Sequence, residues 1–177
     1  SMMGGTTGVV SEPGKGSTFW FTCVLGKQES KSTVEGEKEY VPALEILRKE
    51  YGSCHILIVE DEAINREIAF EMLHVEAGLQ VDQAEDGLVA VNLAERKKYD
   101  LICMDMQMPE LDGIAATRAI RTIPCYGDVP ILAMTANAFN EDRDRCLEAG
   151  MNDHIGKPIF PEALFEMVLY WIKKSRL

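Results

Sequence analysis

An open α/β fold built on a parallel sheet is what this sequence predicts from residue 54 onward, and three observations predict it. Short apolar runs alternate with amphipathic helical patterns at regular spacing. Two of those runs, Leu57-Ile58-Val59 and Leu101-Ile102-Cys103-Met104, stop abruptly at carboxylates, Glu60-Asp61 and Asp105. Two other runs are short and half polar, as the outer strands of a sheet with helices on both faces should be.

Taken in order, the strands fall near 54–60, 79–84, 100–105, 130–135 and 152–156, and the helices near 62–76, 87–97, 112–121, 138–149 and 161–174. Ile64, Ile68, Met72 and Leu73 supply the expected packing face of the first of these helices. Leu164, Phe165, Val168, Leu169 and Trp171 do the same for the last. Gly78 and Gly150 follow helices where a C-cap glycine belongs. Right-handed crossovers between parallel strands make the flavodoxin-like order 2-1-3-4-5 the expected (βα)5 topology.

Composition divides the chain into residues 1–27, 28–52 and 53–177. The first stretch carries Thr-Gly-Val-Val-Ser-Glu, a Pro13-Gly14-Lys15-Gly16 turn and Ser-Thr-Phe-Trp-Phe, which read as a β-hairpin. A lone two-stranded hairpin is marginal in water, so it is expected to pack on something or pair with another copy. The second stretch is a charged linker, with a short helix expected over 42–51. The third is the α/β domain.

The 177 residues carry 18 Lys and Arg against 29 Asp and Glu, a net charge of −11, which argues against a nucleic-acid surface. Five cysteines form no CxxC pair, which fits a reduced cytosolic compartment and argues against a zinc site. No apolar run approaches the roughly 18 residues of a membrane span, and no signal peptide opens the sequence.

The expected topology gives the acids a meaning. Ligands of such sheets bind beyond the carboxyl ends of the strands where the strand order reverses, here between the first and third strands of the domain. Glu60, Asp61 and Asp105 end those two strands. Crowded carboxylates are costly unless a cation sits among them or one takes up a proton, and an all-oxygen set favours Mg²⁺. Thr135 ends the fourth strand and Lys157 the fifth, adding a hydroxyl and an ammonium suited to a group that brings negative charge and acceptor oxygens. Lys157-Pro158 is a candidate cis peptide.

With these residues in place the 54–175 segment resembles a response-regulator receiver domain of two-component signalling. The resemblance rests on Glu60-Asp61, Asp105-Met106-Gln107-Met108-Pro109 with Asp112-Gly113, Thr135-Ala136 and Lys157-Pro158. It implies that Asp105 accepts a phosphoryl group and that Asp61, Asp105 and the Gln107 backbone carbonyl ligate Mg²⁺, with Glu60 helping through water. It implies that Thr135 and Lys157 bind the phosphoryl oxygens, and that Thr135 then rearranges the face of the fourth helix and fifth strand of the domain. The family commonly places Tyr or Phe three residues before the lysine as a switch reporter, where this chain has His154.

The first stretch is similar to the last strands of a histidine-kinase ATP-binding domain, without that family's Asn-containing helix or glycine-rich nucleotide loops. Kinase tail, linker and receiver together imply the C-terminal part of a hybrid histidine kinase, with no ATP site of its own and a parent protein that is cytoplasmic or membrane-anchored. The implied partner is a phosphohistidine-bearing kinase domain or a histidine phosphotransfer protein; a homodimer through the hairpin is the further expectation. Three other readings compete. A flavodoxin needs a phosphate loop where Glu60-Asp61-Glu62 stands, a haloacid-dehalogenase-type phosphatase needs Asp-x-Asp, and a pseudo-receiver would serve only as an interaction module.

Overall fold

A computed structural model describes residues 6–22, 42–136 and 140–176, with side chains for all of these except 140–143. It forms two compact units, residues 1–39 and 40–177. Residues 28–41 of the expected 28–52 linker and the loop at 137–139 lie outside the described residues.

The first unit is a hairpin of β1 (Thr7–Glu12) and β2 (Gly16–Phe21), paired antiparallel from Thr7 opposite Phe21 to Glu12 opposite Gly16. Gly14 and Gly16 take φ of +80° and +104°, the left-handed backbone that this tight turn needs. Val9, Val10, Phe19 and Phe21 are each more than half exposed, so two strands alone bury no core.

The second unit begins with α1 (Ala43–Glu50) and then alternates strand and helix: β3 (His55–Val59), α2 (Ala63–Phe70), β4 (Gln80–Ala84), α3 (Gly87–Arg96), β5 (Leu101–Asp105), α4 (Gly113–Arg121), β6 (Ile131–Thr135), α5 (Asn140–Ala149), β7 (Asp153–Gly156) and α6 (Pro161–Ser175). All pairings in the sheet are parallel, in the order β4-β3-β5-β6-β7, which is the expected 2-1-3-4-5. Alternate residues of each strand feed separate core layers. Ile56, Ile58, Leu101, Cys103, Leu132, Met134 and Ile155 pack with residues of α1, α2 and α6. Leu57, Val59, Ile102, Met104, Ile131 and Ala133 pack with residues of α3, α4 and α5.

Three local features differ from the sequence expectation. Ile64 and Ile68 are 68% and 45% exposed instead of packed. The buried face is Ala69, Leu73 and Ala77, because small residues let the helix approach the sheet closely and turn the two isoleucines outward. The C-terminal half of the expected 62–76 helix is a π-helical segment, Glu71–Glu76, in which the His74 ring stacks on Phe70 at 4.8 Å. Finally α1 packs on α6 within the second unit, with Leu47 fully buried, although composition places a boundary at residue 53.

Two polar braces tie the loops to the sheet. Arg121 at the end of α4 donates to the carbonyls of Gly150 and Val129 and to Asn152 Oδ1, and the same Asn152 oxygen accepts from the Ile131 amide that starts β6. Asp82 on edge strand β4 accepts from Lys97 Nζ at 2.6 Å and Tyr99 Oη at 2.7 Å. Partial burial alone would raise the Asp82 pKa, but these two donors outweigh it and hold the carboxyl below its usual range. A carboxylate held low contributes stability above its unfolded pKa and loses it as pH falls through the folded value. Asp82→Asn is therefore expected to cost about 1 kcal/mol at pH 7, discounted for solvent screening. Urea denaturation should show that difference shrinking on acidification below the ordinary carboxylate range.

Candidate functional site

The register of the sheet brings the expected site residues to one edge. Val59 pairs with Met104, so Glu60 and Asp105 stand level; Asp105 pairs with Met134, and Thr135 with Gly156, so Thr135 and Lys157 step outward beside them. The strands feed a cleft of about 650 Å³ lined by Glu60, Asp61, Asp105, Gln107, Thr135 and Lys157, with Asn65, Asp112 and Arg145 among its other walls. That is ample for a phosphoryl group, a metal ion and a partner's side chain together.

One ammonium organises the centre. Lys157 Nζ lies 2.6 Å from Glu60 Oε2 and 2.7 Å from Asp105 Oδ2, and the peptide that follows it, Lys157-Pro158, is cis. Glu60 is 1% and Asp105 5% exposed. Burial pushes the Glu60 carboxyl up, against the opposing pull of bonds from Lys157 and Asn65. Burial alone would lower the Lys157 ammonium, but its bonds to Asp105 and Glu60 win and hold it above the ordinary lysine range.

The donor set suits a hard cation. One oxygen from each of Glu60, Asp61 and Asp105 lies within 4.8 Å of the others, and Asp61 is exposed toward solvent, leaving a side for water ligands. Oxygen donors with an open face fit Mg²⁺ better than a transition metal.

The loop after β5 is held by close backbone contacts. Asp105 Oδ1 accepts from the Gln107 amide at 3.3 Å, and the Gly113 amide donates to the Met106 carbonyl at 3.3 Å. A Cβ on Gly113 would sit 2.1 Å from the Asp105 carbonyl oxygen, and one on Gly87 would sit 2.3 Å from that of Leu111. Only glycine lets α4 and α3 come this close. Asp112 caps α4 by accepting from the Ala115 amide at 2.8 Å.

Three further residues serve this edge that sequence reasoning passed over. Asn65 Nδ2 donates to Glu60 Oε1 at 3.2 Å, and Arg66 Nη1 donates to the carbonyls of Glu60 at 2.7 Å and Asp61 at 3.2 Å. Their signal was available: both stand one helical turn after the acid pair. Arg145 lies 40 residues from Asp105 and carries no such signal. His154 does not line the cleft. It faces a separate cavity of about 90 Å³ with Cys146, Asn152 and Asp153, its Nδ1 3.6 Å from Asp153 Oδ1.

The match to known proteins agrees with this geometry. Residues 56–169 match the model of the response regulator receiver domain. The chain belongs to that family. It is 34% identical over 178 residues to two-component system protein A of Emericella nidulans, covering 96% of this chain and 26% of that protein. The receiver domain of the sensor histidine kinase PA1611 from Pseudomonas aeruginosa, solved with a magnesium ion in its active-site cleft, superposes with a TM-score of 0.64 at 44% identity, over 68% of this chain and 98% of that one. The receiver domain of Ssk1 from Saccharomyces cerevisiae, solved in complex with the histidine phosphotransfer protein Ypd1, gives 0.65 at 31% identity over 71% and 92%. Histidine kinases and hybrid histidine kinases are among the other relatives. The chain spans about a quarter or less of the length of its first curated relatives.

Gly113→Ala drives a methyl group into the Asp105 carbonyl, so one of the two backbones must shift. The expected result is a loss of about 2 kcal/mol in chemical denaturation together with a smaller rise of melting temperature on adding Mg²⁺. Wild-type values in both would show that the contact does not set the loop.

Proposed function

We propose that this chain accepts a phosphoryl group from a phosphohistidine on the Asp105 carboxylate in a Mg²⁺-dependent step, as a receiver within a hybrid histidine kinase phosphorelay. The observation that carries this reading is the Lys157 ammonium bonded to both Glu60 and Asp105 at the floor of an open acidic cleft.

Asp61, Asp105 and the Gln107 carbonyl would hold the metal directly, with Glu60 acting through water. The ion supplies charge neutralisation on the phosphoryl oxygens. An Asp105 oxygen attacks phosphorus in line, the bond from phosphorus to the donor imidazole breaks, and its electron pair returns to the ring nitrogen. Lys157 shifts its bond from the carboxylate to a phosphoryl oxygen, and Thr135 donates its hydroxyl to another. Asn65 and Arg66 keep Glu60 and Asp61 in place while the charge moves.

Thr135 and His154 on neighbouring strands form the proposed switch, which reports the new charge to the face of α5 and β7. Ile64 and Ile68, exposed on the helix that starts beside the acid pair, offer an apolar landing for a histidine phosphotransfer protein of the Ypd1 kind. Among the described residues no helix is long and apolar enough to cross a membrane.

Intact mass spectrometry after incubation with acetyl phosphate and Mg²⁺ tests the chemistry. One added phosphoryl group, absent in Asp105→Asn and in EDTA, is the expected outcome; no addition to the wild type would overturn it.

The hairpin is proposed as the end of the kinase ATP-binding domain, and its exposed Phe19, Trp20 and Phe21 as a contact between two copies. Light scattering behind size exclusion should give a dimer mass that falls to a monomer when residues 1–27 are removed. An unchanged mass would reject the pairing.

A further inference from the structure

The three acids of the cleft are not held alike. Both oxygens of Glu60 have donors, Asn65 Nδ2 at 3.2 Å on Oε1 and Lys157 Nζ at 2.6 Å on Oε2. Asp105 accepts from Lys157 Nζ on Oδ2 and from the Gln107 amide on Oδ1. Asp61 is exposed, and among the described residues no donor meets its carboxylate. The position of that carboxylate is therefore set by its backbone.

That backbone is fastened by one side chain. The Glu60 amide donates to the Ala84 carbonyl at 3.1 Å, and the chain then turns into α2 through Glu62, whose side chain makes no capping bond. Arg66 closes the turn. Its Nη1 donates to the Glu60 carbonyl at 2.7 Å and to the Asp61 carbonyl at 3.2 Å, and its amide donates to the Glu62 carbonyl at 3.0 Å. One residue thus holds the carbonyls of three successive residues, two of which carry the acids of the metal site. A planar guanidinium is preorganised for such a task, and this one works from behind, outside the lining of the cleft.

A pinned turn matters more to one cation than to another. Mg²⁺ demands near-ideal octahedral geometry at about 2.0–2.1 Å, whereas Ca²⁺ accepts irregular shells at about 2.3–2.6 Å. A loose acid pair can follow either ion; a fixed one favours the ion with the stricter shell. The charge of Arg66 acts in the opposite direction, since a cation beside a cation site opposes metal binding. Its geometric and electrostatic contributions therefore differ in sign, and substitution separates them.

We propose that Arg66 is a positioning residue of the metal site, which fixes the turn bearing Glu60 and Asp61 and thereby biases the cleft toward Mg²⁺ over Ca²⁺. The inference rests on the phosphoacceptor reading for the identity of the metal ligands. Arg66 touches neither the metal nor the phosphoryl group.

Calorimetric titration of the 177-residue chain with MgCl2 and with CaCl2, beside Arg66→Met and Arg66→Lys, tests this. Both variants keep the aliphatic stem and its packing. Arg66→Met should weaken Mg²⁺ binding about tenfold, the lower end of what a residue orienting a metal ligand commonly contributes. Ca²⁺ binding should weaken by less than about threefold, because its looser shell tolerates the shift. Arg66→Lys keeps the charge without the planar fork and should restore part of the Mg²⁺ preference. Mg²⁺ affinity that is unchanged or tighter in Arg66→Met would overturn the inference and mark a field effect alone. An equal loss for both ions would also overturn it, marking a general loosening of the fold. Both of these results leave the phosphoacceptor reading standing. If Arg66→Met lacks a cooperative urea transition, the lysine variant decides, and a ratio of Mg²⁺ to Ca²⁺ affinity equal to that of the wild type would overturn the inference. A wild type that binds no Mg²⁺ would overturn both.

Discussion

The structure depends on one ammonium held between two carboxylates. Lys157 reaches from the end of β7 to Glu60 at the end of β3 and Asp105 at the end of β5, so three strands of the sheet meet through a single charge. Neither acid is stable there by itself, being almost fully buried at the edge of an apolar sheet. The lysine makes their burial tolerable, and their presence keeps the lysine charged. Any ligand that enters the cleft competes for the same bonds, which couples occupancy of the site to the relative positions of the strand ends.

The rest of the fold keeps that edge in register. Two core layers grip the sheet from opposite sides, each taking every second residue of the strands. Arg121 and Asn152 fasten the opposite edge, where the strands begin, so the strand ends that carry Thr135 and Lys157 are measured from a fixed origin. Between them the loop after Asp105 is clasped by α3 and α4 at two glycines, Gly87 and Gly113, where a side chain has no room. The Asp105 carboxylate is thus placed by backbone contacts, which vary less than side-chain rotamers do.

Much of this was legible in the sequence, and the reason is local. An apolar run that ends in Glu60-Asp61 or Asp105 marks both a strand and its functional end, because burial and charge change between adjacent residues. Strand order then followed from chirality, and the register carried Thr135 and Lys157 to the same edge. Ile64 and Ile68 were misread as core, since periodicity shows that a helix has a face but not that alanines at 69 and 77 let that face lie closest to the sheet. Arg145 was invisible because its place on the cleft wall depends on how α5 packs beside Met106, a packing outcome without a linear signal. His154 was placed on the correct strand, yet only the fold shows that it opens on the small cavity beside Asp153 and not on the cleft.

The packing of α1 bears on how portable this receiver is. Leu47 is fully buried in the same layer as Ile56 and Ile155, and Arg48 Nε bonds to the Glu76 carbonyl at the end of the π-helical segment. At the same end of α1, Tyr51 lies under the Arg176 guanidinium at 5.3 Å, closing the end of α6. A cut at residue 53 would leave an apolar socket open to water, at a cost comparable with removing a buried leucine, about 2–5 kcal/mol. The transplantable module therefore starts near residue 42. Whatever precedes it is joined to a helix that already forms part of the receiver body, so the splice point for a chimera lies upstream of α1.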